Sequence, residues 1–299
     1  MKFHLKPTDP GKLEADVLIC FCWENELKSL SGLPNDLLED LFEIAKKENF
    51  TGKEAQILSL YPKDSISSFK FLLYGLGRKD DFDLYKLYKS VAVSVKKVMA
   101  AKPVKVAFVI DEYWMKKYPV AKVVKATVES IKLANYLFNK YKSEEDKKDK
   151  PFEEVFLCLT APKLSLAEQG LSRGEIIANA VNFARDLINE PPEVTSPSYL
   201  AETAQKLASE SNGNIKVKIF EKVDIAKLGM NSFLGVSLGS DKPPKFIHLS
   251  YKPAGASKKV VLIGKGITFD TGGLSLKSAE HMETMKLDMS GAASVLGVF

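Results

Sequence analysis

The chain has 299 residues, 45% hydrophobic and 27% charged, with a formal net charge of +5. That length suits roughly two domains, and the balance excludes a disordered, fibrous or disulfide-dense protein. The positive charge comes from lysines scattered along the chain. The cluster at residues 140–150 mixes both signs, which marks a solvated loop rather than a nucleic-acid arm.

No run approaches the ~20 apolar residues of a membrane helix. Residues 1–11 are polar and the apolar run 17–23 is short, so no signal peptide is read at the N-terminus. Cys20 and Cys22 alternate along a predicted strand, and with Cys158 they supply no set of four metal-binding N or S ligands. Reduced core cysteines in a cytoplasmic protein are expected.

In chain order, residues 15–23 read as a buried strand. Residues 35–48 read as a helix, with Leu37, Leu38, Leu41 and Ala45 at helical spacing and Pro34 at its start. Strands are expected at 55–61 and 69–77, a helix at 83–101, a strand at 104–110, a long helix at 120–142 and a strand at 155–160. Alternating strands and helices predict a mostly parallel sheet covered on both faces, in a module ending near Pro162. Gly75 and Gly77 follow a strand, but position 80 is Asp80 rather than a third glycine. A tight turn is the better reading than a dinucleotide loop.

A helix at 171–189 links the modules and ends at Glu190-Pro191-Pro192, because proline lacks the N–H a helix needs. Ser196 is placed to cap a helix over 198–209, with Pro197 at its first turn. A strand at 215–220, helices at 223–228 and 230–238, and strands at 246–251 and 259–263 make the second module α/β as well. The domain expectation is an N-terminal α/β domain over 1–165, a linker helix over 166–192 and a second α/β domain from 193 to 299.

The chemistry concentrates after the last predicted strand. Residues 264–277 read GKGITFDTGGLSLK and residues 285–293 read MKLDMSGAA. Glycine lets the backbone approach a ligand closely, and ligands collect at strand ends in α/β sheets. Asp270 there can hold one divalent ion or bridge two, or it can cap a loop N–H. Lys265 can ligate a metal only as a neutral amine, which burial and a nearby dication favour; otherwise it pairs with a carboxylate. Lys277 is a fixed cation able to polarise a carbonyl, or an exposed lysine. Asp288 precedes a small-residue helix and is either a cap or a ligand. Met285 and Met282 suit a core or an adaptable apolar pocket. His281 stands in no HExxH pattern and reads as surface or core. No Ser/His/Asp arrangement is visible.

Together these segments resemble the leucyl aminopeptidase (cytosol aminopeptidase) family of two-metal exopeptidases. NFARDLINEPP at 182–192, LGMNSFLGVSLGS at 228–240 and PPKFIHLSY at 243–251 extend the resemblance, with ANYLFNKYKS at 134–143 a weaker part of it. It implies an N-terminal macro-like α/β domain. It also implies the first part of a C-terminal α/β metallopeptidase domain with a mixed, mostly parallel sheet. It implies that Lys265 and Asp288 ligate one metal, that Asp270 bridges both, and that Lys277 is the catalytic lysine. Met285 would line the pocket for the N-terminal side chain. The implied cofactors are two divalent ions, zinc or manganese, with a bicarbonate base. The implied partners are peptide substrates, often with N-terminal leucine, and a homohexamer; no membrane is involved and no nucleic acid is expected.

Two metals need more anionic ligands than the three positions here provide. The resemblance places them in a downstream NTDAEGR segment absent from this sequence, so a piece of a longer protein, inactive alone, is expected. Glu193 stands where the family usually has Asn, away from the metals. The alternative is a nucleotide- or nucleic-acid-binding regulatory module; no basic stripe with interleaved aromatics argues for it.

Overall fold

The computed structural model describes residues 1–7, 9–27, 30, 33–62, 66–147, 150–159 and 164–299. Two compact units, Met1–Asn179 and Ala180–Phe299, divide the chain. The expected module end near Pro162 lies outside the described residues.

The first unit contains strand β1 (Lys2–Lys6), β2 (Val17–Cys22), helix α1 (Asn35–Lys47), β3 (Ile57–Leu60), β4 (Lys70–Gly75), α2 (Leu84–Met99) and β5 (Lys105–Ile110). After them come α3 (Glu112–Lys117), α4 (Val120–Ala134), β6 (Glu154–Leu159) and α5 (Leu164–Asn189), whose last turns belong to the second unit. The six strands lie in the order β1-β6-β5-β2-β4-β3, all parallel except β3, which runs antiparallel to β4.

Strand β2 explains the layering. All six of its residues are buried, which is what a strand covered on both faces requires. Val17, Ile19 and Phe21 point into a cluster with Leu87, Val91 and Val95 of α2 and Val124 and Val128 of α4. Leu18, Cys20 and Cys22 point the other way, onto Leu37, Leu41 and Ala45 of α1. Asp83 starts α2 by accepting the Lys86 N–H at 2.8 Å.

Burial pushes the Cys22 and Cys158 thiols up to about 12, and the Cys20 thiol is raised well above its ordinary value by the same desolvation. The thiolate is the reactive form. At pH 8 the native chain should therefore react with a thiol reagent such as DTNB only as it unfolds. Rapid release of three equivalents without denaturant would contradict this packing.

The second unit follows α5 with α6 (Pro197–Glu210), β7 (Ile215–Phe220), α7 (Lys222–Lys227), α8 (Asn231–Val236), β8 (Phe246–Tyr251), α9 (Ala279–Met282) and α10 (Ser290–Val298). A 3-10 turn over Met285–Met289 leads into α10. Strands β7 and β8 pair antiparallel, from Ile215↔Tyr251 to Phe220↔Phe246, and they are the sheet of this unit among the described residues. Met289, Ala293 and Leu296 repeat at helical spacing and pack with Ala184 and Leu187 of α5 and Leu200 and Ala204 of α6.

Ser196 caps α6 as its sequence position predicts, accepting the Tyr199 N–H at 3.3 Å, with Pro197 in the first turn. Ser196→Ala should cost about 1 kcal/mol in chemical unfolding. No measurable loss would mean that water satisfies this helix end equally well.

Several expectations are corrected. The strand expected at 259–263 is absent: these residues form no ladder, and Val260 and Ile263 are 81% and 92% exposed. A β-branched run becomes a strand only when a neighbour satisfies its backbone. Helix α4 stops at Ala134 rather than reaching residue 142. There the Asn135 side chain donates to the Phe152 carbonyl at 3.1 Å and accepts the Phe152 N–H at 3.2 Å. Helix α5 starts earlier than predicted, and β1 and α3 were not anticipated. Among the described residues no helix is long and apolar enough to cross a membrane.

Candidate metal centre

Residues 259–278 run without helix or strand into α9. This loop is attached to α10 through its backbone: the Lys265 carbonyl accepts the Ala292 N–H at 2.8 Å. Asp288 lies in the 3-10 turn just ahead of the same helix. Side chains 23 positions apart thereby meet, and Lys265 Nζ lies 2.9 Å from Asp288 Oδ2. Asp288 does not cap α10, whose N-cap position is Met289 and carries no side-chain cap bond. Asp288 Oδ2 is buried and accepts no hydrogen bond of acceptable geometry, despite the nearby lysine nitrogen.

Asp270 sits at the second pole. Its Oδ1 accepts the Gly272 N–H at 2.8 Å and its Oδ2 lies 2.9 Å from Lys277 Nζ. Gly272 has φ +94°, a conformation that side chains disfavour, and this turn brings the Lys277 N–H to the Thr271 carbonyl at 2.9 Å. The Lys277 hydrogen bond, then the Gly272 N–H, hold the Asp270 carboxyl below its ordinary range, with the charges of Lys277 and Lys265 adding to the effect. Asp270 thus caps its own loop and also faces two cations. Lys277 Nζ further contacts Met285 Sδ at 3.0 Å. Both Lys277 and Met285 are half-buried. His281 is exposed, with Nδ1 2.7 Å from the Ser278 hydroxyl, and takes no part in this cluster.

The five residues singled out by sequence therefore form two linked groups, Lys265 with Asp288 and Asp270 with Lys277 and Met285. Two carboxylates balance two ammonium groups, which makes the arrangement neutral without any ion. The Lys265–Asp288 pair also suits a metal. Two donors on adjacent octahedral vertices, each about 2.1 Å from an ion, lie roughly 3 Å apart. Among the described residues no group of three or more His, Cys, Asp or Glu could hold a metal by itself. Sequence reasoning missed the backbone part of the site: Gly264, Gly291 and the Ala292 N–H. The glycines on either side of Lys265 and the small-residue run at 290–293 were its signals.

Comparison with known proteins gives a consistent family. The model of the cytosol aminopeptidase family N-terminal domain matches residues 18–145, and that of its catalytic domain matches residues 182–299. A Nitrosococcus oceani protein described as "Probable cytosol aminopeptidase" is 36% identical, over 99% of this chain and 60% of its own length. An Aquifex aeolicus protein of the same description is 37% identical, over 97% of this chain and 57% of its own. The chain thus spans about 60% of the length of these curated relatives. Among solved structures, a tomato leucine aminopeptidase mutant superposes with a TM-score of 0.79 at 26% identity, covering 99% of this chain and 58% of that one. The bottromycin maturation enzyme BotP in complex with Mn gives 0.74 at 25% identity, covering 95% and 55%. With both of its domain models matched in order along most of the sequence, the chain belongs to the cytosol aminopeptidase family.

Proposed function

We propose that this chain carries part of the active centre of a metal-dependent aminopeptidase that releases N-terminal residues, leucine preferred, from peptides. The observation that carries the reading is the meeting of Lys265 Nζ and Asp288 Oδ2 at 2.9 Å, a spacing that two ligands of one ion also have. Family membership and the Mn-bound state of BotP support it.

In this reading Lys265, Asp288 and Asp270 would hold the divalent ions, zinc or manganese, with Lys265 and Asp288 toward one ion and Asp270 serving both. When bound, such ions polarise a peptide carbonyl and lower the pKa of water. The side chains supply the rest. Lys265 would serve as a nitrogen donor to the ion. Lys277 would present a positive charge where negative charge develops on the carbonyl oxygen. Met285, against the Lys277 nitrogen, offers an apolar wall to the N-terminal side chain. Bicarbonate as a base, a homohexameric assembly and a cytoplasmic location belong to the same proposal.

Two ions on two carboxylates remain strongly positive, so activity needs acidic ligands beyond Lys265, Asp270 and Asp288. The 299-residue chain with Mn2+ should hydrolyse leucine p-nitroanilide no faster than buffer. Robust turnover by this chain alone would contradict that requirement.

The rival reading, a nucleotide-binding first unit, has less support. Beyond the carboxyl ends of β2 and β5, where α/β sheets take ligands, the Trp23 and Tyr113 rings pack edge-on at 5.2 Å between centroids. Lys79, paired with Glu26, lies over both rings.

A further inference from the structure

We propose that Gly264 and Gly291 form a backbone clasp that positions Lys265 against Asp288. The inference rests on reading those two side chains as donors to one ion.

The contact is reciprocal. A Cβ on Gly264 would stand 2.4 Å from the Gly291 carbonyl oxygen and 2.7 Å from the Ala292 nitrogen. A Cβ on Gly291 would stand 2.7 Å from the Lys265 nitrogen. The two backbones touch with no room for a side chain on either, and the Ala292 N–H to Lys265 carbonyl bond closes the contact. Residues 259–263 have no strand partner, so a ladder does not hold this loop. Helix α10, in contrast, is fixed by Met289, Ala293 and Leu296 in the core. Position therefore passes from the core to α10, through Gly291 to the Lys265 backbone, and so to its amine. Asp288 is set by the same turn. Widening a 2.4 Å separation to ordinary contact moves one backbone by about 1 Å. That is a third of the 2.9 Å separating the donors.

Gly291 and Gly264 are thus positioning residues, and graded substitution tests them. Gly291→Ala and Gly264→Ala meet backbone. Gly266→Ala meets the Ala292 Cβ at 3.3 Å, and Gly235→Ala, with nothing within 4 Å, is the control. On the 299-residue chain, Mn2+ affinity by equilibrium dialysis and amide exchange at Ala292 are read beside the unfolding midpoint. Gly291→Ala and Gly264→Ala should each weaken Mn2+ binding about tenfold, as loss of an orienting contact does, at a nearly unchanged midpoint. Exchange at Ala292 should quicken about tenfold as its bond to Lys265 opens. Wild-type affinity and wild-type exchange in both variants would overturn the clasp. If the unsubstituted chain binds no Mn2+, the donor reading fails, and exchange at Ala292 alone then decides the clasp. If both variants unfold, Gly266→Ala decides: an affinity loss of about threefold supports the proposal and none overturns it.

Discussion

Asp270→Ala should lower Mn2+ affinity by about 100-fold or more, because it deletes a first ligand rather than a supporting contact. Asp270 is the one carboxylate here that faces both lysines: Lys277 lies 2.9 Å away, and the charge of Lys265 also reaches it. With its pKa held below the usual carboxylate range, it is ionised throughout the neutral range and needs no proton loss to receive a cation. The same substitution should leave the unfolding midpoint almost unchanged. The Asp270–Lys277 pair is part-exposed at 30% and 27%, and solvent screens such ion pairs. In a chain extended to the length of its relatives, peptidase activity should fall with the metal. Two equivalents of Mn2+ retained by the variant would rule Asp270 out as the shared ligand. A large drop in the midpoint would mean that its loop cap matters more than its charge.

Phe108→Ala should destabilise the first unit by about 3–5 kcal/mol. Phe108 is fully buried on β5, where it stands opposite Ile19 of β2 and Leu157 of β6 in the parallel ladders. Valines of α2 and α4 belong to the same cluster and cover that face. Removing the ring leaves a cavity bounded by regular elements that cannot collapse far, which places the cost in the upper range for such truncations. The shift should appear in urea as a lower midpoint of the first unit's transition with its slope unchanged. A loss below about 1 kcal/mol would mean that the layers repack freely, against the close-packed core described here.

The first unit was readable because its signals are local. The run at 17–22 is apolar on both faces, and α1 and α2 carry apolar residues at helical spacing, so type and order follow from the chain itself. Strand β1 was not readable. It alternates Lys2, His4 and Lys6 with Phe3 and Leu5 at the sheet's edge, mostly half-buried, and owes its state to pairing with β6, which lies about 150 residues away. Helix α3 is six residues long and depends on Asp111 accepting the Tyr113 N–H at 2.8 Å, a cap too small to stand out. The run at 259–263 misled in the opposite sense. Its composition is that of a strand, but pairing is a property of two segments and among the described residues no second one meets it.

The site divides in the same way. Lys265, Asp270, Lys277, Met285 and Asp288 were identifiable because charge among glycines and apolar residues is costly unless something balances it. Their grouping was not. Residue types do not reveal that Lys265 faces Asp288 while Lys277 takes Asp270, since that pairing is set by where a loop backbone touches a helix. Gly264 and Gly291 make the contact, and a glycine that permits close approach cannot be told in sequence from one that permits a turn.

The most direct measurement is a crystal structure of the chain soaked in Mn2+, with anomalous differences collected to locate the ion. The expected result is a peak about 2.0–2.3 Å from both Lys265 Nζ and Asp288 Oδ2, the distance range of nitrogen and oxygen ligands. Density with no such peak at saturating Mn2+, and the Lys265–Asp288 contact still standing at 2.9 Å, would contradict it.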